Sequence, residues 1–404
     1  MARKRILYVE NGIGYGGAVI CLLHLVRNLD REEYDALVVT GIGNPLYQAF
    51  AKEAGWRHVP DRRFDTVGMK RKLAKAAWPD SLPGLRWLAG QWVARLDDLG
   101  NFIPYFLELL WTAWRFKADL IHANNEPSCN RAALLVARVL GIPAIAHVRG
   151  DQTGSRSMAW FYRLPVHFIP VSRWIADSIA RLGVPAEKST TIYDGLELDK
   201  LDVNADGRAL RQRYGIPETA FVVGLVGMLI PWKGQRLFLE AARKLIPRMP
   251  DAVFAFVGGT PDECQAYEQE LRGAVLAPEL ENRFIFTGHV RDMPPLYNAL
   301  DIVVSASTSP EPLGIVVSES MTMARPVVAP NHGGAMELVQ DGVTGLLFQA
   351  NDPDSLASAI ERLYRDPALR ERLGHTARGH ALATFDVQEH VKHVCAVYGQ
   401  VLGR

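Results

Sequence analysis

Two successive series of short apolar runs, each alternating with helical stripes, constrain this chain more than any other feature. In the first series Ile6–Glu10 and Ala36–Thr40 read as strands. Between them Ala18–Leu29 reads as a helix, with Ile20, Leu22, Leu23, Val26 and Leu29 as one apolar face. Leu120–Ala123, Ala144–Val148 and Phe168–Val171 continue the strands. After about residue 190 the pattern restarts with Phe221–Gly227 and a helical stripe of Leu237, Phe238, Ala241, Ala242, Leu245 and Ile246. Val253–Val257, Phe284–Phe286, Ile302–Ser305, Pro326–Ala329 and Gly345–Phe348 follow. Short strands alternating with helices predict an α/β architecture whose parallel sheets are covered on both faces. The 404 residues exceed the roughly 250–300 at which a single core stops growing, so two Rossmann-like domains are expected. Asp, Gly and Asn accumulate over 187–205, which places the boundary there, between a domain of 1–195 and one of 196–386. The final helical stretch, 387–404, has no strand after it.

Composition narrows the functions. The formal net charge of +1 excludes a chain-wide basic field of the kind nucleic acid requires, so no nucleic-acid partner is expected. Cys21, Cys129, Cys264 and Cys395 are too scattered for a CxxC metal or redox site and read as buried free thiols of a reducing cytoplasm. The apolar run Ile6–Val9 is too short for a signal-peptide core. No apolar stretch reaches the roughly 20 residues a membrane span needs. The expectation is a cytoplasmic protein, or one peripheral on the inner face of a membrane.

Residues 61–116 interrupt the alternation. Arg62, Arg63, Lys70, Arg71, Lys72, Lys75, Arg86 and Arg95 meet only Asp61, Asp65 and Asp80 before the Asp97-Asp98 pair, and Trp78, Trp87 and Trp92 lie among them. Tyr105, Trp111 and Trp114 follow on a mostly apolar stretch. Basic residues mixed with tryptophan suit an element resting on an anionic membrane surface. Helices packed on the sheet with a solvated basic face are the alternative.

Two glycine-bearing turns lead from a strand into a helix. Gly12-Ile-Gly14-Tyr-Gly16-Gly17 matches GxGxxG, whose glycines let backbone approach an oxyanion at a helix N-terminus. A dinucleotide site also wants an acid at the end of the second strand, and Val38-Val39-Thr40-Gly41 has none. This argues against an NAD oxidoreductase and leaves a phosphate or acceptor loop, or a ligand-free turn. The second turn runs from Gly227 and Met228 to Lys233-Gly234, with Lys233 at a helix mouth where an ammonium can join the helix dipole in holding a pyrophosphate.

The most informative stretch is Ser309-Pro310-Glu311-Pro312-Leu313-Gly314-Ile315-Val316-Val317-Ser318-Glu319. Its glutamates stand eight apart, one in the loop after a strand and one about two turns into the next helix. The stretch resembles the E-P-F-G-x-x-x-x-E hallmark of the retaining GT-B glycosyltransferases of the family 4 type, with Leu313 in place of Phe. The turn from Gly227 to Lys233-Gly234 resembles that family's G-R-L-x-x-x-K-G. Thr287-Gly288 with Met293 to Tyr297, Gly333-Gly334-Ala335-Met336-Glu337 and Asp341-Gly342-x-x-Gly345 resemble further family segments. Gly16-Gly17 looks like its N-terminal acceptor and phosphate loop.

The resemblance implies two facing Rossmann-like domains with a central cleft, the donor in the second domain, and residues 387–404 crossing back to the first. It implies that Glu319 accepts bonds from the donor ribose and that Glu311 holds hydroxyls of the transferred sugar. The amides of Leu313, Gly314 and Ile315 would line sugar and phosphate, with Gly227, Met228, His332, Gly333 and Gly334 around the donor and Lys233 on the leaving diphosphate. The expected activity is transfer of a sugar, with retention, from a nucleotide-sugar donor to a glycan or lipid-linked acceptor in surface polysaccharide or glycolipid assembly. No cofactor or metal is expected. Asp352-Pro353-Asp354 reads as a helix cap rather than a metal motif.

Three departures stand out. Met228 replaces the family's arginine, and Arg236 or another arginine is a candidate substitute. Arg149 stands where the family has a histidine near the donor phosphates, with His147 two residues earlier; strand alternation allows both on one face as catalytic candidates, and Arg149 is a candidate for the charge that Met228 lacks. Asp194-Gly195 replaces Asn-Gly in the linker. The rival readings are a non-catalytic nucleotide-sugar-binding scaffold, which the loss at Met228 would suit, and a nucleotide-sugar epimerase.

Overall fold

The computed structural model describes residues 3–11, 16–43, 45–76, 83–151 and 158–403. The chain divides into two compact units, the first of residues 1–171, 175–192 and 391–404 and the second of residues 172–174 and 193–390.

In the first unit β1 (Lys4–Glu10), β2 (Tyr34–Thr40), β3 (Gly55–His58), β4 (Leu120–Asn124), β5 (Ala144–Val148) and β6 (His167–Pro170) form a parallel sheet in the order β3-β2-β1-β4-β5-β6. The central strands are near-continuous apolar runs because helices cover both of their faces. The edge strand β3, Gly55-Trp-Arg-His58, is only half-buried and carries no apolar run, so periodicity does not reveal it. α1 (Gly17–Arg27) follows β1 and buries Val19, Leu22, Leu23 and Val26. Ile20, expected on that face, points outward and is 37% exposed.

The segment between β3 and β4 folds as α2 (Thr66–Lys75), α3 (Pro83–Asp97), a π-helical turn over Asp98–Phe102 and α4 (Ile103–Phe116). Trp78 lies outside the described residues. α4 is a core helix: Tyr105, Leu109 and Ala113 pack with Leu7, Val9 and Ile121 of the sheet. The π turn turns Asn101 inward, where its Oδ1 accepts the N–H groups of Arg63 and Phe64, both at 2.8 Å, and its Nδ2 donates to the Phe64 carbonyl at 3.0 Å. That side chain fixes the loop leading into α2.

In the second unit β7 (Phe221–Val226), β8 (Ala252–Val257), β9 (Phe284–Phe286), β10 (Ile302–Val304), β11 (Val327–Pro330) and β12 (Leu346–Phe348) are parallel in the order β12-β11-β10-β7-β8-β9. This repeats the connectivity of the first sheet. α5 (Gln235–Leu245) follows β7, and its Phe238 meets Phe254 and Phe256 edge-on, each at 5.7 Å between ring centres. α6 (Ile315–Thr322) follows β10. In each sheet the strand order reverses at one pair, β1/β4 and β7/β10. The loops leave such a pair in opposite directions and open a crevice at the C-terminal strand ends.

The last helix, α7 (Val387–Leu402), belongs to the first unit from residue 391 onward. There the Tyr398 hydroxyl meets the Tyr8 hydroxyl at 3.0 Å and His122 Nδ1 at 2.7 Å. Among the described residues no helix is long and apolar enough to cross a membrane.

Candidate active site

The switch point of the second sheet carries the densest polar assembly. β7 ends at Val226 and the chain turns through Gly227 to the single helical turn Pro231–Lys233 before α5. Gly234 follows with φ of +80°, and a Cβ there would lie 1.8 Å from the Ala306 carbonyl oxygen just beyond β10. Only glycine lets the two loops meet this closely. The contact brings Lys233 to the loop after β10, where its Nζ lies 2.8 Å from Glu311 Oε1 with both side chains 15% exposed. The ammonium also sits 4.6 Å from the Trp232 ring centre. The Ser307 hydroxyl donates to the same Glu311 carboxylate. His332, in the loop after β11, donates from Nε2 to the Ser307 carbonyl at 2.9 Å. The carbonyl can only accept, so Nε2 carries the proton. Gly333 closes the arrangement: its φ is +62°, and a Cβ there would lie 2.7 Å from Glu311 O. The Gly334 N–H donates to that same oxygen at 2.8 Å. Lys233, Glu311, Ser307 and His332 therefore form one network across the ends of β7, β10 and β11.

α6 starts just beyond Gly314. The first of its amides with an intrahelical bond is that of Val317, donating to the Gly314 carbonyl at 2.9 Å. The amides before it supply the positive end of the helix dipole. Leu313 is buried in this loop and serves packing through its side chain. About one turn into α6, rather than the two expected, Glu319 Oε2 accepts the Tyr297 hydroxyl at 2.6 Å. Burial raises the Glu319 carboxyl above its ordinary 4.5, with the Tyr297 hydrogen bond pulling the other way. Burial first, and then the Glu319 charge, lifts Tyr297 well above 10, so the shared proton stays on the phenol.

Met228 is 43% exposed at this turn. Arg236 does not stand in for the missing arginine, because it pairs with Glu270 and lies 5.2 Å from the Tyr267 ring centre on the outer side of α5. The turn is held instead by Gln235, fully buried, which donates to the Met228 carbonyl at 2.9 Å and accepts from Tyr267 at 3.3 Å.

In the first unit the strand ends carry a different assembly. Glu10 is buried and accepts from Asn125 Nδ2 at 2.7 and 2.9 Å and from Asn124. Arg149 donates in turn to Asn124 Oδ1 and is 8% exposed. His147 sits one step inside the strand with no exposed surface, its ring 5.3 Å from that of His122. The side chain of His147 lies in the sheet interior. Gly12 and Gly14 of the first glycine turn lie outside the described residues. Gly16 is extended, with φ of −142°, and a side chain there would meet nothing within 4 Å.

The family models for glycosyl transferases group 1 and glycosyltransferase family 4 match residues 206–380 and 15–200. A D-inositol 3-phosphate glycosyltransferase of Catenulispora acidiphila is 31% identical over an alignment covering 89% of this chain and 94% of that one. The chain belongs to the group 1, family 4-type glycosyltransferases. The α-D-kanosaminyltransferase of Streptomyces kanamyceticus is 25% identical across 82% of this glycosyltransferase and 88% of its own length. Among solved structures, Anabaena Alr3699/HepE in complex with UDP and glucose aligns with a TM-score of 0.82 at 25% identity, over 98% of this chain and 100% of that one. The two six-stranded sheets are those of a GT-B glycosyltransferase.

Several residues of this glycosyltransferase's site escape a reading from sequence. Ser307 and Gln235 belong to no motif, and only three-dimensional packing shows what they hold. Tyr297 and Glu337 do stand in segments that resemble the family, which is the signal that points to them. Glu337 accepts the N–H groups of Arg173 and Trp174 at 2.9 and 2.7 Å and the Tyr193 hydroxyl at 3.1 Å. Asp352 caps the helix Pro353–Arg365, accepting from the N–H groups of Asp354 at 2.9 Å and Ser355 at 3.2 Å. Among the described residues no group of three or more His, Cys, Asp or Glu side chains is placed to hold a metal ion.

Proposed function

We propose that the network at the β7/β10 switch point binds a nucleoside diphosphate sugar and transfers the sugar with retention to a glycan or lipid-linked acceptor. The observation that carries this reading is the union of Lys233, Glu311, Ser307 and His332 beside the start of α6, with half-buried Glu319 about one turn further on. A carboxylate accepts hydrogen bonds and donates none, so Glu319 suits ribose hydroxyls and Glu311 suits the hydroxyls of the sugar. The leaving diphosphate gains negative charge as the glycosidic bond breaks. Lys233 and the amides of Leu313, Gly314 and Ile315 are fixed positive ends that lower that barrier. With these groups in place the transfer needs no divalent metal.

Lys233 is shared between Glu311 and the diphosphate in this scheme. An ammonium has three donors, so one can stay on Glu311 while the others turn to phosphate. The bound lysine then orients the very carboxylate that holds the sugar.

The UDP and glucose named with the Anabaena structure and the inositol phosphate named for the Catenulispora relative support a nucleotide-sugar donor and a hydroxyl acceptor. The basic and aromatic residues 62–116 support an acceptor presented at an anionic membrane surface, as in assembly of a surface polysaccharide or glycolipid at the inner face of the membrane.

The test is a screen of UDP-, GDP- and ADP-sugars for binding and slow hydrolysis, followed by NMR of the released anomer. A single donor that is bound, and released first with its anomeric configuration unchanged, supports the reading. An inverted first product would overturn retention, and no bound donor would overturn the site.

A further inference from the structure

The segment between β3 and β4 concentrates apolar exposure. Trp87 is 65% exposed, Trp92 71% and Trp114 64%, while the inner face of α4 is core. Apolar surface gathered this way on one element marks an interaction site. Between α2 and α3 runs an open groove of about 550 Å³ lined by Met69, Leu73, Ala89, Trp92 and Val93, with Lys72 at its rim. The groove has an ordered base. Asp97 accepts from the Thr66 hydroxyl at 2.6 Å and from Asn101 at 2.9 Å, which ties the start of α2 to the end of α3. Lys70 lies 3.9 Å from Asp97, but among the described residues no carboxylate pairs with Arg71 or Lys72.

Two features of this groove select its occupant. Among the described residues its lining offers no polar side chain apart from Lys72, so a peptide lying in it would leave backbone N–H and C=O groups without protein partners. A hydrocarbon chain needs none. The size falls within the roughly 300–1,000 Å³ of small-ligand sites. At the rim Lys72 can lay its stem along the groove and lift its ammonium to water, with Arg71 next to it in sequence. Apolar lining with unpaired cations at one edge is the complement of an anionic amphiphile.

We propose that the α2–α3 groove binds one hydrocarbon chain of an anionic lipid, with the headgroup on Lys72 and Arg71. This deepens the membrane-side acceptor reading and rests on it: the groove would hold a lipid chain beside the acceptor-side sheet.

The test uses hexyl, octyl and decyl phosphate, kept below their micelle concentrations, with binding to the full chain read by calorimetry and tryptophan fluorescence. Each added methylene should tighten binding roughly fourfold until the groove is full. Ala89→Trp, which fills the groove and keeps its charges, should flatten that chain-length dependence. Lys72→Glu should weaken every member by about tenfold and leave the slope in place. Should Ala89→Trp misfold, Met69→Trp at the exposed edge of the groove serves the same purpose. Affinity that ignores chain length, or the same slope in the filled variant, overturns the proposal. Sedimentation with phosphatidylglycerol vesicles separates the two readings. Vesicle binding without any chain-length dependence overturns the groove alone. Alkyl phosphate binding with no vesicle binding supports the groove and overturns the membrane reading.

Discussion

The strand ends at the two switch points occupy the same place in two sheets of the same connectivity, yet their described residues hold charge in different ways. The turn after β7 is locked by backbone contact. Gly234 lies against Ala306, Gly333 against Glu311, and the charges between them stay partly accessible. The strand ends of the first unit instead bury their charge, with hydrogen bonds from Asn124 and Asn125 to Glu10 and from Arg149 to Asn124. Backbone locking leaves a lysine and a carboxylate available to a ligand. A buried network holds its charge away from the surface. Topology thus supplies two equivalent crevices, and side chains decide which one presents charge to a ligand.

The sharpest way to break this comparison is at the two helix-entry glycines. Gly234→Val places a β-branched residue at positive φ against a backbone oxygen, and should destabilise the second unit by about 3 kcal/mol or more. Gly16→Ala meets neither problem and should change stability by less than about 0.5 kcal/mol. Urea unfolding of both variants checks this pair. A mild Gly234→Val would refute backbone locking.

The charged residues give the next contrast. Arg149→Met removes the donor from a buried network and should cost about 3 kcal/mol. Lys233→Met should cost about 1 kcal/mol or less in stability, since its ion pair is nearer the surface. It should nevertheless lower kcat by roughly 100-fold or more, as loss of a transition-state donor does. Chemical unfolding alongside a transfer assay separates the two. Equal stability losses would erase the proposed difference.

Glu319→Gln should weaken donor binding by roughly 10- to 100-fold, the worth of about 1.5–3 kcal/mol for a charged hydrogen bond. Its effect on folding runs the other way. The folded carboxyl titrates above its ordinary 4.5. Below 4.5 both states are protonated and Glu319 costs nothing extra. As pH rises through the raised value the folded state must ionise a buried group, and wild type loses stability that the glutamine variant keeps. Melting temperatures of the two proteins should coincide at low pH and separate above it, with the variant the more stable.

The legibility of these features from sequence follows the same physics. Central strands show as apolar runs, but their order, and with it both switch points, comes only from the three-dimensional pairing. Glu311 and Glu319 are legible because loop and helix stand at fixed spacing around Pro312 and Gly314. The edge strand β3 is hidden because one-sided pairing asks for no apolar pattern. Ser307, Gln235 and the buried place of His147 depend on partners far away in the chain, which no local pattern encodes. Arg236 misleads for the same reason: its partner Glu270 lies on another helix.

The smallest expected effect sits at Met228. Met228→Arg places a second cation at an already exposed position and should tighten donor binding by about tenfold or less. Titration with the best donor checks it, and weaker binding would place the diphosphate elsewhere.

Hydrogen exchange with and without the best nucleotide sugar tests the central assignment most directly. Slowed exchange is expected in 227–237, 305–319 and 332–338 of the second unit. Protection confined to the β1, β4 and β5 strand ends of the first unit, with those three segments unchanged, would contradict it.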